Sequence, residues 1–333
     1  MLRSRPARAA AAAAAVLGLT FIASCGSAST PEGGATSTGG TTSLTGAGLD
    51  VVSATGPVDL KTAPKVTFAT TPVRTTTVTR KVLTKGSGPA ATKDDTVRVR
   101  VQIYNGTTGK LVDDGFAKDR TAEGYRLGRK DLIAGFTEGL IGAQKGARIA
   151  FAIPPDKGFG DAGNEALKIS GTDTIVVIAD VAGIHPSLTK IEGTQAPSPA
   201  GLPTVTFPNG PSKEPKITVP KTKAPTTTKA VTLIQGTGPV VRKGQTLAAN
   251  YQGVLWKDGS VFDSSWERGE VADFPIGAGA VIPGWDKTLV GQKVGSRVLL
   301  VIPPKDGYGA EGRKPKISGT DTLVFVVDIL DAY

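Results

Sequence analysis

The chain has 333 residues, a formal net charge of +10, 39% hydrophobic and 5% aromatic residues, and a single Cys, His and Met each. One Cys excludes a disulfide framework and any multi-thiolate metal site, and one His excludes a His-pair zinc centre, so no metal or other cofactor is expected. The length suits two domains of ordinary size, and 43 Gly with 23 Pro implies that part of the chain is linker. The positive charge is dispersed. Arg3, Arg5 and Arg8 lie at the extreme N-terminus, and no later segment has more than three charges in excess. Nucleic-acid binding needs a clustered basic stripe, so that function class is set aside.

From the N-terminus, the three arginines precede an apolar run, Ala9 to Ala23, followed by Ser24 and Cys25. A charged stretch, an apolar stretch and small residues in this order make an export signal over residues 1–24. The run is shorter than the ~20 residues of a membrane-spanning helix. Ile22-Ala23-Ser24-Cys25 resembles the lipobox of bacterial lipoproteins, which implies acylation at Cys25 and anchoring on the outer face of the cell membrane. A soluble secreted protein is the alternative. Residues 25–74 read as a Gly/Ser/Thr-rich flexible tether, to about Gly48, and a lead-in strand.

The rest of the chain is duplicated. Pro64-Lys65-Val66-Thr67 returns as Pro215-Lys216-Ile217-Thr218, Gly86-Ser87-Gly88-Pro89 as Gly236-Thr237-Gly238-Pro239, and the seven residues from Lys168 to Thr174 return unchanged from Lys316 to Thr322. Three matches in one order indicate two copies of one domain, at 75–184 and 228–333. Residues 185–227 between them read as a Pro-rich linker and second lead-in strand, extended and weakly packed because of Pro220, Pro225 and a Thr run. Within each copy the dominant period is two. Val97, Val99, Val101 and Ile103 alternate with Arg98, Arg100 and Gln102, which predicts a half-buried strand. Further strands are predicted over 147–153, 174–182, 296–302 and 322–330, with an Asp258-Gly259 hairpin turn. One short helix per copy is predicted, over 133–141 and 283–290, each stopping at a Gly. Antiparallel strands with one short helix make an α+β domain.

The second copy carries the motifs that point to chemistry: Tyr251 to Asp263, the Val281-Ile282-Pro283-Gly284-Trp285 run, and Tyr308-Gly309. At these spacings the stretch from about 229 to 333 resembles the FKBP family, the macrolide-binding peptidyl-prolyl isomerases. The resemblance implies a bent antiparallel sheet wrapped around a short helix, with an apolar pocket for a prolyl ring between them. It implies Trp285 as pocket floor and Tyr251, Phe262, Phe274, Val281, Ile282, Ile317 and Phe325 as walls. Asp263 and Tyr308 become polar groups at the rim, with Arg268 as partner to Asp263. Ala272 stands where the family often has an aromatic wall, which predicts a wider pocket on that side. Macrolides and Xaa-Pro segments of exported clients are the implied ligands.

The residue types suit that chemistry. Rotating an Xaa-Pro amide breaks no bond but meets a barrier of about 18–20 kcal/mol from C–N double-bond character. An apolar pocket with a few fixed donors lowers it without nucleophile or metal. In the first copy Tyr251 is matched by Val101, Phe262 by Val112, Trp285 by Phe136, Tyr308 by Phe159 and Phe325 by Val177, while Asp113, Ile133 and Ile169 are kept. A degenerate domain with little or no turnover is expected there. Overall the reading is an exported, lipid-anchored isomerase whose activity lies in the C-terminal domain. A non-catalytic chaperone that captures Pro-containing segments is the alternative.

Overall fold

In the computed structural model residues 48–333 are described; the signal, Cys25 and the tether expected before residue 48 lie outside them. The chain begins with a hairpin, β1 (Val52–Thr55) and β2 (Lys65–Phe68). The first domain follows with β3 (Thr79–Thr84), β4 (Thr96–Asn105), β5 (Leu111–Asp114), β6 (Glu123–Arg126), α1 (Ala134–Leu140), β7 (Arg148–Ile153) and β8 (Ile175–His185). A second hairpin, β9 (Thr204–Thr206) and β10 (Lys216–Thr218), precedes the second domain. That domain runs β11 (Lys229–Ile234), β12 (Thr246–Leu255), β13 (Val261–Ser264), α2 (Ser265–Arg268), β14 (Ala272–Pro275), α3 (Pro283–Leu289), β15 (Arg297–Ile302) and β16 (Leu323–Ala332).

The two domains repeat one topology. The first sheet has the order β3-β7-β8-β4-β5 with β6 also on β4, and the second has β11-β15-β16-β12-β13 with β14 also on β12. Every pairing is antiparallel. The long central strand of each sheet bends at a register shift, Arg98/Val99 in one and Ala248/Ala249 in the other. The bend curls the sheet over its helix. The α+β class and the tandem arrangement follow the sequence reading.

Two expectations about packing are overturned. The second lead-in, expected to be weakly packed, is not: like the first, it forms a hairpin on the face of its sheet that points away from the helix. Val52 and Val73 are fully buried with Tyr104, Val176 and Ile178 beneath the first hairpin. Val205 and Ile217 are buried with Trp256, Leu299 and Val326 beneath the second. Even the connecting stretch packs, through Ile191 against Ile234 and Leu330. The apolar hairpin residues alternate toward the sheet, and this burial outweighs the extended bias of the neighbouring prolines. As a consequence β4 is not half-buried. Arg100 and Gln102 lie under cover, and Arg100 Nη1 donates to the Leu60 carbonyl of the hairpin loop at 2.7 Å.

A buried ion pair fastens each hairpin. Arg148 and Asp180 meet through two hydrogen bonds of 2.6 Å, and the same guanidinium donates to the Gly56 and Pro57 carbonyls at 2.9 and 2.8 Å. In the second domain Arg297 and Asp328 meet at 2.6 and 2.7 Å, with Arg297 donating to the Pro211 carbonyl at 2.7 Å. The Arg297 guanidinium also lies 3.6 Å from the Phe207 ring centre. A guanidinium supplies the five fixed donors needed to hold a carboxylate and loop carbonyls together. Removing one partner strands a buried charge, so Arg297→Met should cost about 3–5 kcal/mol of stability. Urea unfolding followed by tryptophan fluorescence measures it, since all three Trp lie in the second domain. A loss below about 1 kcal/mol, the net worth of an ordinary hydrogen bond, would mean that the pair does not hold the hairpin.

Candidate active site

The concave side of the second sheet and α3 enclose a cavity of about 380 Å³. That volume falls in the range of small-molecule sites. Its floor is Trp285, placed there because α3 begins at Ile282-Pro283 and turns its third residue toward the sheet. Three aromatic rings stand edge-on around the indole, and a fourth packs on one of them. Trp285 lies 5.4 Å from Tyr251, 5.0 Å from Phe274 and 5.3 Å from Phe325, and Phe325 lies 5.4 Å from Phe262. Edge-to-face pairs of this kind add about 0.5–1.5 kcal/mol each beyond area burial and fix ring orientation. The buried Trp285 Nε1 has no hydrogen-bond partner among the described residues, so the floor keeps an unused donor.

One wall depends on a missing side chain. A Cβ at Gly253, in the middle of β12, would stand 2.5 Å from Phe262 Cζ and 2.9 Å from Phe325 Cε1. Only glycine lets both rings lean over the strand.

The polar rim is equally specific. The Tyr251 hydroxyl donates to Asp263 Oδ2 at 2.5 Å, and Arg268 pairs with Asp263 Oδ1 while donating to the Tyr251 hydroxyl at 3.0 Å. Burial, and then the Asp263 hydrogen bond, push the Tyr251 hydroxyl up to about 12, so it remains a donor across the neutral range. Short helix α2 puts Arg268 in reach. It is capped by Ser264 Oγ accepting from the Glu267 N–H, and Ser265 Oγ accepts from the Tyr251 N–H. The hairpin reaches this corner too: Glu214 Oε1 accepts from Ser264 Oγ and Gln252 Nε2, both at 2.7 Å. On the opposite rim the Tyr308 hydroxyl accepts from Arg313 Nη1 at 3.3 Å, which leaves its own proton to donate.

Most residues singled out in the sequence converge here. Tyr251, Phe262, Asp263, Phe274, Val281, Ile282, Trp285, Tyr308 and Phe325 all line the cavity. Two do not. Ile317 is buried in the core behind it, and Arg268 stands behind Asp263 rather than facing the cavity. Phe274, two residues on from Ala272 and therefore on the same strand face, lines the cavity with its ring 5.5 Å from Tyr251. Arg313, on the rim loop after Gly309, lines the cavity too, as does Ala280, which was not assigned there from sequence.

The same position in the first domain is closed. Strand pairing sets Asp113 opposite Ile103 as it sets Asp263 opposite Gly253. Ile103 thus occupies the space that the two phenylalanine rings need, and with Phe136, Phe159 and Leu167 it leaves a void of about 10 Å³. That is roughly one water in size, far too small for a prolyl ring. Sequence reading attributed the loss to shrunken walls; the glycine-to-isoleucine exchange was visible at the same repeat offset. The rim survives in part. Asp113 pairs with Arg120 at 2.7 Å, and Tyr125 keeps an aromatic wall 4.9 Å from Phe136.

Among the described residues no group of three His, Cys, Asp or Glu side chains is arranged to hold a metal, and no helix is long and apolar enough to cross a membrane.

Comparison with known proteins agrees with this geometry. The family model of the FKBP-type peptidyl-prolyl cis-trans isomerase matches residues 88–178 and again 238–330. An FK506-binding protein of Streptomyces anulatus is 40% identical over 119 residues, covering 35% of this chain and 96% of that one. The peptidyl-prolyl cis-trans isomerase FKBP15-1 of Arabidopsis thaliana is 49% identical over 88 residues, covering 26% of this chain and 57% of that one. Among solved structures, FkpA from Escherichia coli is 40% identical, with a TM-score of 0.30, and the match spans 33% of this chain and 50% of that one. With one domain matched on each side of the connecting hairpin, over more than half its length, the chain belongs to the FKBP-type peptidyl-prolyl cis-trans isomerase family.

Proposed function

We propose that residues 228–333 carry the peptidyl-prolyl isomerase activity of this chain, and that the protein works outside the cytoplasmic membrane on exported clients. The observation that supports this reading is the contrast between the two cavities, about 380 Å³ in one domain and about 10 Å³ in the other. An Xaa-Pro segment enters with its ring on Trp285 between Tyr251, Phe274 and Phe325. The apolar walls strip water from the amide, which disfavours the polar planar form relative to the twisted one. The Tyr308 hydroxyl, oriented by Arg313, and the Ile282 N–H at the start of α3 donate to substrate carbonyls. Asp263, held by Tyr251 and Arg268, orients the bound peptide. Macrolides of the kind for which the bacterial relative is named suit the same cavity.

Uncatalysed prolyl isomerisation takes about 10–100 s, slow enough to delay folding of a protein after export. The arginines before Ala9 and the lipobox-like Cys25 support an export route ending in lipid anchoring. Capture of Pro segments without turnover is the second reading, since the open cavity of residues 228–333 would hold a prolyl ring in either case.

Three measurements test these assignments. Cis/trans exchange on a Xaa-Pro peptide should fall about 2- to 13-fold in Tyr308→Phe, the value of one neutral hydrogen bond. Asp263→Ala should fall as well, and unchanged rates in both variants remove the site assignment. Gly253→Ile should copy the closed first domain, abolishing exchange by the full chain at a stability cost of about 1–3 kcal/mol. Residual activity above a few per cent would show that the first domain turns over substrate. Finally, Cys25→Ser should move the protein from the membrane to the soluble fraction and end incorporation of labelled fatty acid, whereas unchanged fractionation would exclude the anchor.

A further inference from the structure

Strand β14 carries the wall residue Phe274 and has one strand neighbour, β12. Its other side meets the first domain. Arg126, the last residue of β6, donates from Nε to Asp273 at 3.2 Å, pairs with the same carboxylate through Nη2, and donates to the Val271 carbonyl at 3.1 Å. Both side chains are withdrawn from solvent, 9% and 6% exposed. The Tyr333 hydroxyl donates to the same carboxylate at 2.9 Å and accepts from Arg129 Nη1 at 3.5 Å. The Tyr333 ring lies flush on β6: a Cβ at Gly124 would stand 2.5 Å from its Cδ2. A second buried contact, from Thr96 Oγ1 to Asp331 Oδ2 at 2.7 Å, ties the two domains nearby.

Neighbouring residues of a strand point to opposite sides. A carboxylate clamped at position 273 therefore sets the direction of the ring at 274, and that ring packs edge-on against Tyr251 and Trp285. A bidentate guanidinium–carboxylate pair shielded from water fixes orientation as well as distance. We propose that Arg126 is a positioning residue for the pocket of the other domain, holding the Phe274 wall in place through Asp273. The domain whose own cavity is filled thereby serves as a brace for the open one. The inference rests on reading the 228–333 cavity as the prolyl site.

The test uses the full chain with Arg126→Met and, independently of charge, Gly124→Val, which displaces Tyr333. Exchange kinetics on a Xaa-Pro peptide should show KM raised about threefold or more with kcat within about twofold, because a displaced wall loosens binding of ground and transition states alike. The charge-swapped pair Arg126→Asp with Asp273→Arg should recover most of the loss. Unchanged KM in both single variants overturns the proposal. If Arg126→Met does not fold, Arg126→Lys, which keeps the charge and loses the fork, is read against the same outcomes. An inactive wild type would instead refute the reading of the cavity. The brace is then decided by near-ultraviolet circular dichroism, where an altered tryptophan band in the variants supports it and a wild-type spectrum overturns it.

Discussion

Everything at this site depends on what stands at one place in the central strand. A sheet curled over a helix has a concave interior that is filled either by side chains or by a ligand, because protein interiors do not keep large voids. With glycine at 253, Phe262 and Phe325 tilt over the backbone and complete a ring of aromatics around Trp285, and the space in the middle stays open. With isoleucine at 103 and valines in place of both rings, the same backbone closes into solid core. The two domains differ little in strand order or register, so the difference between isomerase pocket and brace is one of side-chain volume at a few facing positions.

The polar groups follow the same economy. Asp263 does not stand unpartnered at the mouth of an apolar cavity. It is held by a hydroxyl and a guanidinium that arrive from β12 and α2. Glu214 supports the corner from below through Ser264 and Gln252, which makes the hairpin part of the site's scaffold as well as a cover for the sheet. The buried arginines at 148 and 297 make this cover common to both copies of the repeated unit, since each grips its own hairpin through backbone carbonyls. With the hairpin in place both faces of each sheet are buried, and the outer face of β4 accepts Arg100 and Gln102 because their hydrogen bonds are met there.

The sequence by itself determined the duplication, the α+β class and nearly all of the cavity. Local periodicity and the repeat offset carry the first two, and the resemblance of the motifs to the FKBP family carries the third. Trp285, Tyr251, Phe262, Phe325, Asp263 and Tyr308 were legible because the motifs that contain them match those of that family. Phe274 was assigned with them and lines the cavity. The structure decided what depends on residues far apart in the chain. The second lead-in was read as weakly packed because prolines and threonines argue locally for extension, while its burial is a property of the sheet it meets. Ile317 carries the family's residue type, yet the loop that bridges it to Arg313 buries it in the core rather than on the cavity lining. The Arg126–Asp273 pair joins residues 147 positions apart, and neither looks unusual in its own segment. Side-chain type and spacing are local quantities, whereas burial, desolvation and the contact between domains arise only once the chain has closed on itself.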